Sequence, residues 1–118
     1  MRKNLVKDFV ALVAGSMALA SLTGALTVVN QHDLLSYVFT WTGGNTTNGS
    51  IGIDASLDGL TWFPLDFEQT ISVDGATGSH QLLVNKVGFN YTRPTYTRVN
   101  GAATGSLTVE LFCSNVGA

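Results

Sequence analysis

From Ser16 onward, apolar residues fall at every second position, and Gly- and Asn-containing breaks interrupt them about every ten residues. Such a period belongs to β-strands, in which successive side chains point to opposite faces. Residues 35–42 show it most clearly, with Leu35, Tyr37, Phe39 and Trp41 on one face and Ser36, Thr40 and Thr42 on the other. The loop 43–49, rich in Gly and Asn, closes this strand, and residues 50–57 repeat the alternation with Ile51, Ile53, Ala55 and Leu57. Asp58-Gly59 predicts a tight turn, because glycine accepts positive φ without a Cβ clash. Residues 61–67 form the next strand, with Phe63, Leu65 and Phe67 directed to the core. Pro64 lacks an N–H for the ladder and marks this strand as an edge. Further strands are expected at 69–73, 80–85, 87–99 and 106–114, the last with Leu107, Val109, Leu111 and Cys113 on one face. The pattern predicts an all-β antiparallel β-sandwich over residues 16–118, of jelly-roll or Ig-like type, with about seven to eight strands.

The first fifteen residues have a different rhythm. Leu5, Phe9, Leu12 and Val13 stand at helical spacing beside Arg2, Lys3 and Lys7, which predicts a short amphipathic helix and an arm over residues 1–15. Leu5, Phe9 and Leu12 have no partner in the strand pattern, so they are the expected interface of that arm with a neighbouring subunit. The same stretch imitates a secretory signal, with a basic start, an apolar run over 9–20 and Ala18-Leu19-Ala20 as a cleavage site. Asp8, Gly15 and Ser16 interrupt that imitation. The run is too short for a membrane-spanning helix, and no membrane partner is expected.

With 118 residues the chain has room for one domain. Its charged fraction of 12% is about half the usual share. Beyond residue 7, three basic residues (Lys86, Arg93, Arg98) face eight acidic ones, a balance of −5. Such a body lacks the basic stripe that phosphate neutralisation needs, so nucleic acid is excluded as an expected partner. The single Cys113 cannot close an intramolecular disulfide and is read as a small core hydrophobe.

The inventory for catalysis is sparse. His32 and His80 are far apart and have no further ligand at metal spacing. Ser36, His80 and Asp54 supply the residue types of a triad without a nucleophile-elbow sequence. Asp54, Asp58 and Asp66 surround one hairpin, yet their spacing fails an EF-hand loop. No catalytic residue, metal or cofactor is therefore expected. Arg93 and Arg98 are expected to pair with an acid such as Asp54, Asp66 or Glu110, or to stack on Tyr91 or Tyr96. If Trp41 joins Tyr37 and Phe39 in the core, Trp62 and Tyr96 remain as the aromatics able to stack on a sugar.

The run Ser56-Leu57-Asp58-Gly59-Leu60-Thr61-Trp62-Phe63-Pro64-Leu65 resembles the S-x-DG-x-TW-x-x-L hairpin of discoidin-like β-sandwich modules. Together with Phe89-Asn90-Tyr91-Thr92-Arg93-Pro94-Thr95-Tyr96-Thr97-Arg98 and Gly105-Ser106-Leu107-Thr108-Val109, it also resembles small β-sandwich proteins of phage particles, over residues 15 to 118. Discoidin modules are longer and are closed by a disulfide that this chain cannot make. The phage resemblance implies a virion structural protein, a decoration or accessory component that stabilises the particle through subunit contacts. Its partners would be its own copies, as a dimer or trimer, and major capsid or tail proteins. The alternative is a carbohydrate- or receptor-binding module, on a virion or secreted behind a signal peptide.

Overall fold

The computed structural model describes residues 3–28, 34–45, 47–65, 71–85 and 89–116. Its strands are β1 (Lys3–Ser16), β2 (Ser21–Thr23), β3 (Thr27–Val28), β4 (Leu34–Thr42), β5 (Thr47–Ser56), β6 (Phe63–Pro64), β7 (Ile71–Asp74), β8 (Gly78–Asn85), β9 (Tyr91–Arg98) and β10 (Ser106–Val116). One sheet has the order β1-β10-β4-β8, and the other runs β2-β9-β5-β6, with β3 also on β9 and β7 also on β5. The pairs nest: β1 with β10, β2 and β3 with β9, β4 with β8, and β6 and β7 with β5. Successive pairs fall in alternate sheets, and all are antiparallel. With β2 and β3 counted as one interrupted strand and β6 and β7 as another, this is the eight-stranded jelly roll of two Greek keys. The Ig-like option is thereby removed.

Between the sheets, alternation delivers what the sequence promised. Leu35, Tyr37, Phe39 and Trp41 from β4 and Leu107, Val109, Leu111 and Cys113 from β10 are buried, facing Ile51, Ile53, Val73 and Tyr96 of the second sheet. Each such aliphatic side chain contributes about 1.5–3 kcal/mol by leaving water. Met17, in the turn after β1, is also fully buried.

The expected N-terminal helix is corrected: residues 3–16 form β1, paired along β10. Its register shifts between Leu5 and Lys7, between Val10 and Leu12, and between Leu12 and Gly15. Each shift inserts a residue and resets the phase. Phe9, Leu12 and Gly15 therefore stand opposite the core-facing Leu111, Val109 and Leu107, and a strand acquires the three-residue spacing of a helix. Leu12, expected to lack a partner, packs against the core cluster.

Pro64 lies in the edge strand β6, as its missing donor requires. Pro94 is harder to place, since β9 has neighbours on both sides. Arg98 N–H donates to Ala20 O at 2.9 Å, so the even-numbered residues of β9 turn their backbone groups away from β5 and toward β2 and β3. Pro94 then presents its donorless nitrogen where β2 has ended and β3 has not begun. The interruption between these two short strands accommodates the proline.

Candidate functional site

At one end of the sandwich, six residues from Leu57 to Trp62 join β5 to β6. The expected two-residue turn at Asp58-Gly59 is thus corrected to a wider loop, although Gly59 does take a positive φ of 78°. Asp58 builds this loop. Its Oδ1 accepts the N–H groups of Leu60 and Thr61, each at 2.8 Å, and the Ser56 hydroxyl at 3.1 Å. The Ser56 hydroxyl oxygen accepts Gly59 N–H at 2.9 Å. The backbone donors of Thr61 and then Leu60 hold the Asp58 carboxyl below its ordinary range. This Asp58 oxygen is committed to loop geometry.

The loop pushes its apolar residues outward. Leu60 is 85% exposed, and Leu57 and Phe63 are about two-thirds exposed, at 66% and 64%. Phe63, expected in the core, is instead exposed: it stands opposite the buried Ala55, but on the two-residue strand β6 at the sheet margin. Between the loop and the sheet lies an open cleft of ≈ 360 Å³. Ala55, Phe63, Leu65 and Phe89 give it an apolar lining, and Asp58 and Thr61 mark its polar side. Sequence reasoning missed Leu60 and Phe63 as surface groups. The available signal was a leucine inside a turn otherwise made of Asp, Gly and Thr.

The two aromatics singled out for sugar stacking are not brought together. Tyr96 is buried, its hydroxyl donating to Met17 O at 2.9 Å, so it cannot meet a ligand. Burial raises its pKa, with a smaller opposing effect of Arg98. Trp62 is half-buried, and the Arg93 guanidinium lies 4.1 Å from its ring centroid. Arg93 Nε also meets Asp54 Oδ2 at 3.4 Å, across a directly paired position of β5 and β9. The expected pairing of Arg93 with an acid holds, while its stacking partner is Trp62 and neither tyrosine. Arg98 donates instead to Ala18 O at 2.6 Å.

Ser36 and His80 lie on the four-stranded sheet and Asp54 on the other, so the triad composition does not assemble. Ser36 Oγ is engaged by the Gln81 amide at 2.6 Å. Among the described residues, no three His, Cys, Asp or Glu side chains are placed to hold a metal ion. His32, Asp66 and Phe67 lie outside the described residues. Leu5 and Phe9 take part in β1 by register, opposite Ser114 and Leu111.

The sequence matches no protein-family model and no curated protein. Among solved structures the chain is similar to the SPBc2 prophage-derived protein YomS, with a TM-score of 0.65 at 16% identity, over 98% of this chain and 96% of that one. Weaker likenesses reach PorU of Porphyromonas gingivalis (TM-score 0.44, 13% identity, 87% of this chain and 11% of that one) and the disulfide-linked pili of Bacillus endospore appendages (0.40, 16%, 98% and 88%). The likeness to YomS is one of fold across two chains of nearly equal extent.

Proposed function

We propose that this protein is a structural component of a phage particle, an accessory or decoration subunit that stabilises the assembly by burying apolar surface against its neighbours. The observation that supports it most is the whole-chain likeness in fold to a prophage-derived protein of the same extent. The cleft beside Leu60 and Phe63 supplies the contact: exposed leucine and phenylalanine next to an apolar recess form a surface that gains about 25 cal/mol per Å² when a neighbouring subunit covers it. The sugar-binding alternative has less support, since Tyr96 is buried and the Arg93 guanidinium covers one face of the Trp62 ring. The secreted alternative carries a structural cost, since cleavage after Ala20 would remove β1 and the buried Met17.

The test combines particle composition with one variant. The protein is expected in purified particles, and Leu60→Ser with Phe63→Ser is expected to keep the melting temperature while lowering occupancy roughly tenfold or more. Absence from particles, or normal incorporation of the folded double variant, would overturn the reading.

A further inference from the structure

A sheet edge presents unpaired N–H and C=O groups, and proteins blunt such edges with bulges, brevity, proline or charge. Among the described strands, every edge but one is blunted. β1 has three register shifts and carries Lys3, Lys7 and Asp8. β2 and β3 are three and two residues long, β7 has four, and β6 has two including Pro64. β8 has eight residues in unbroken register with β4, and contains no Pro, Lys, Arg, Asp or Glu. Among the described residues, no strand pairs with its outer side.

The direction of its free groups follows from one hydrogen bond. Met17 N–H donates to Gly105 O at 3.0 Å, so that carbonyl points to the β1 side, and Ser106 N–H, opposed to it across the same trans peptide, points to β4. Even-numbered residues of β10 therefore face β4. Through the registers Thr108↔Thr40 and Phe39↔His80, odd-numbered residues of β4 face β8, and even-numbered residues of β8 face β4. Ser79, Gln81, Leu83 and Asn85 are left with backbone donors and acceptors aimed outward. On the solvent face, Leu83 is 53% exposed.

We propose that β8 pairs with β8 of a second copy of this chain, antiparallel about a two-fold axis perpendicular to the sheet, fusing two four-stranded sheets into one of eight. The other edges are too bulged, short or proline-bearing to receive β8, so the strand it fits is its own. A strand without charges meets itself without like-charge repulsion. Such an axis keeps both core-facing sides together, so opposed residues share parity. Centred at Leu82, it sets Ser79 opposite Asn85 and Gln81 opposite Leu83 of the second copy, which engages all four outward residues. Growth stops at two, because the far edge of the joined sheet is the bulged β1. The inference deepens the subunit-contact reading above and rests on it for the purpose of the contact, while the pairing itself is a property of the isolated chain.

Sedimentation of the purified chain is expected to show a concentration-dependent dimer, and Leu83→Pro, which removes an outward N–H at a position an edge tolerates, to raise the dimer Kd roughly tenfold or more with circular dichroism unchanged. Should that variant fail to fold, thiol crosslinking decides. A mixture of Gln81→Cys and Leu83→Cys chains is expected to form disulfide dimers under mild oxidation, and Leu60→Cys is not, the native Cys113 being buried. A monomer up to about 1 mM, a folded Leu83→Pro that dimerises undiminished, or no crosslink overturns the pairing. A dimer absent from particles would overturn the virion reading and leave the pairing intact. A particle-bound chain that stays monomeric would do the reverse.

Discussion

The guanidinium of Arg93 covers the ring of Trp62 at 4.1 Å, and the same side chain reaches back to Asp54. An exposed cation–π contact contributes about 0.5–1 kcal/mol and a part-exposed ion pair about 0–1 kcal/mol. Arg93→Ala is therefore expected to cost about 1 kcal/mol in denaturant unfolding and to raise acrylamide quenching of Trp62, Trp41 remaining shielded in the core. Arg93→Lys should recover the charge pairing and little of the stacking. Unchanged quenching in Arg93→Ala would show that the ring is protected by something else.

Two glycines with positive φ separate backbone strain from collision. A Cβ on Gly59 would lie 3.5 Å from the Tyr91 ring, an ordinary contact, so Gly59→Ala carries only the left-handed backbone cost of about 1–2 kcal/mol. At Gly105, where φ is 91°, the added carbon would run into the Thr42 carbonyl oxygen and the backbone of Gly43. Gly105→Ala is expected to lower the melting temperature by more than Gly59→Ala. Equal melting temperatures for the two variants would contradict this placement of Gly105 beside β4.

Asp58 gives the protein an acid-sensitive loop. Its carboxyl holds a proton less readily when folded than at its ordinary value of 3.8, so its contribution to stability is present above that value and is lost as pH falls through and below it. Asp58→Asn should flatten the decline of melting temperature between about pH 5 and pH 2, leaving the two proteins most alike in acid. A parallel decline in both would assign acid sensitivity to other carboxylates.

Removing residues 2–14 takes away most of β1 and strips the outer edge of β10 of its partner, along with the contact of Leu12 on the core. The truncated chain is expected to lose cooperative unfolding or melt far lower than the full chain. A truncated protein with native melting would restore the separable arm expected from the apolar spacing.

What was legible in the sequence follows the regularity of each strand. β4 and β10 run without register shifts against each other, so Leu35 to Trp41 and Leu107 to Cys113 declare their buried faces by simple alternation. β1 concealed itself, because three inserted residues replaced the period of two by spacings that a helix also makes. Tyr96 was misread for another reason. Its burial with Thr92 and Pro94 depends on β9 turning its even-numbered side chains inward, and on a Met17 carbonyl 79 residues away that accepts its hydroxyl. The exposed cleft was hidden by the same assumption in reverse, since Phe63 continues an alternation that the sheet itself abandons after two residues.

The nested pairing also orders events during synthesis. β5 and its partners β6 and β7 are close in sequence and can meet early, whereas β4 waits for β8, β2 and β3 wait for β9, and β1 waits for β10. Within this fold, the strand that is made earliest is thus the last to find its place. Until residues 106–116 emerge, the apolar positions of β1 have no sheet to join, and contacts of such long sequence separation close slowly. For as long as translation of the intervening chain lasts, this segment is exposed to chaperones and to strands of other nascent copies.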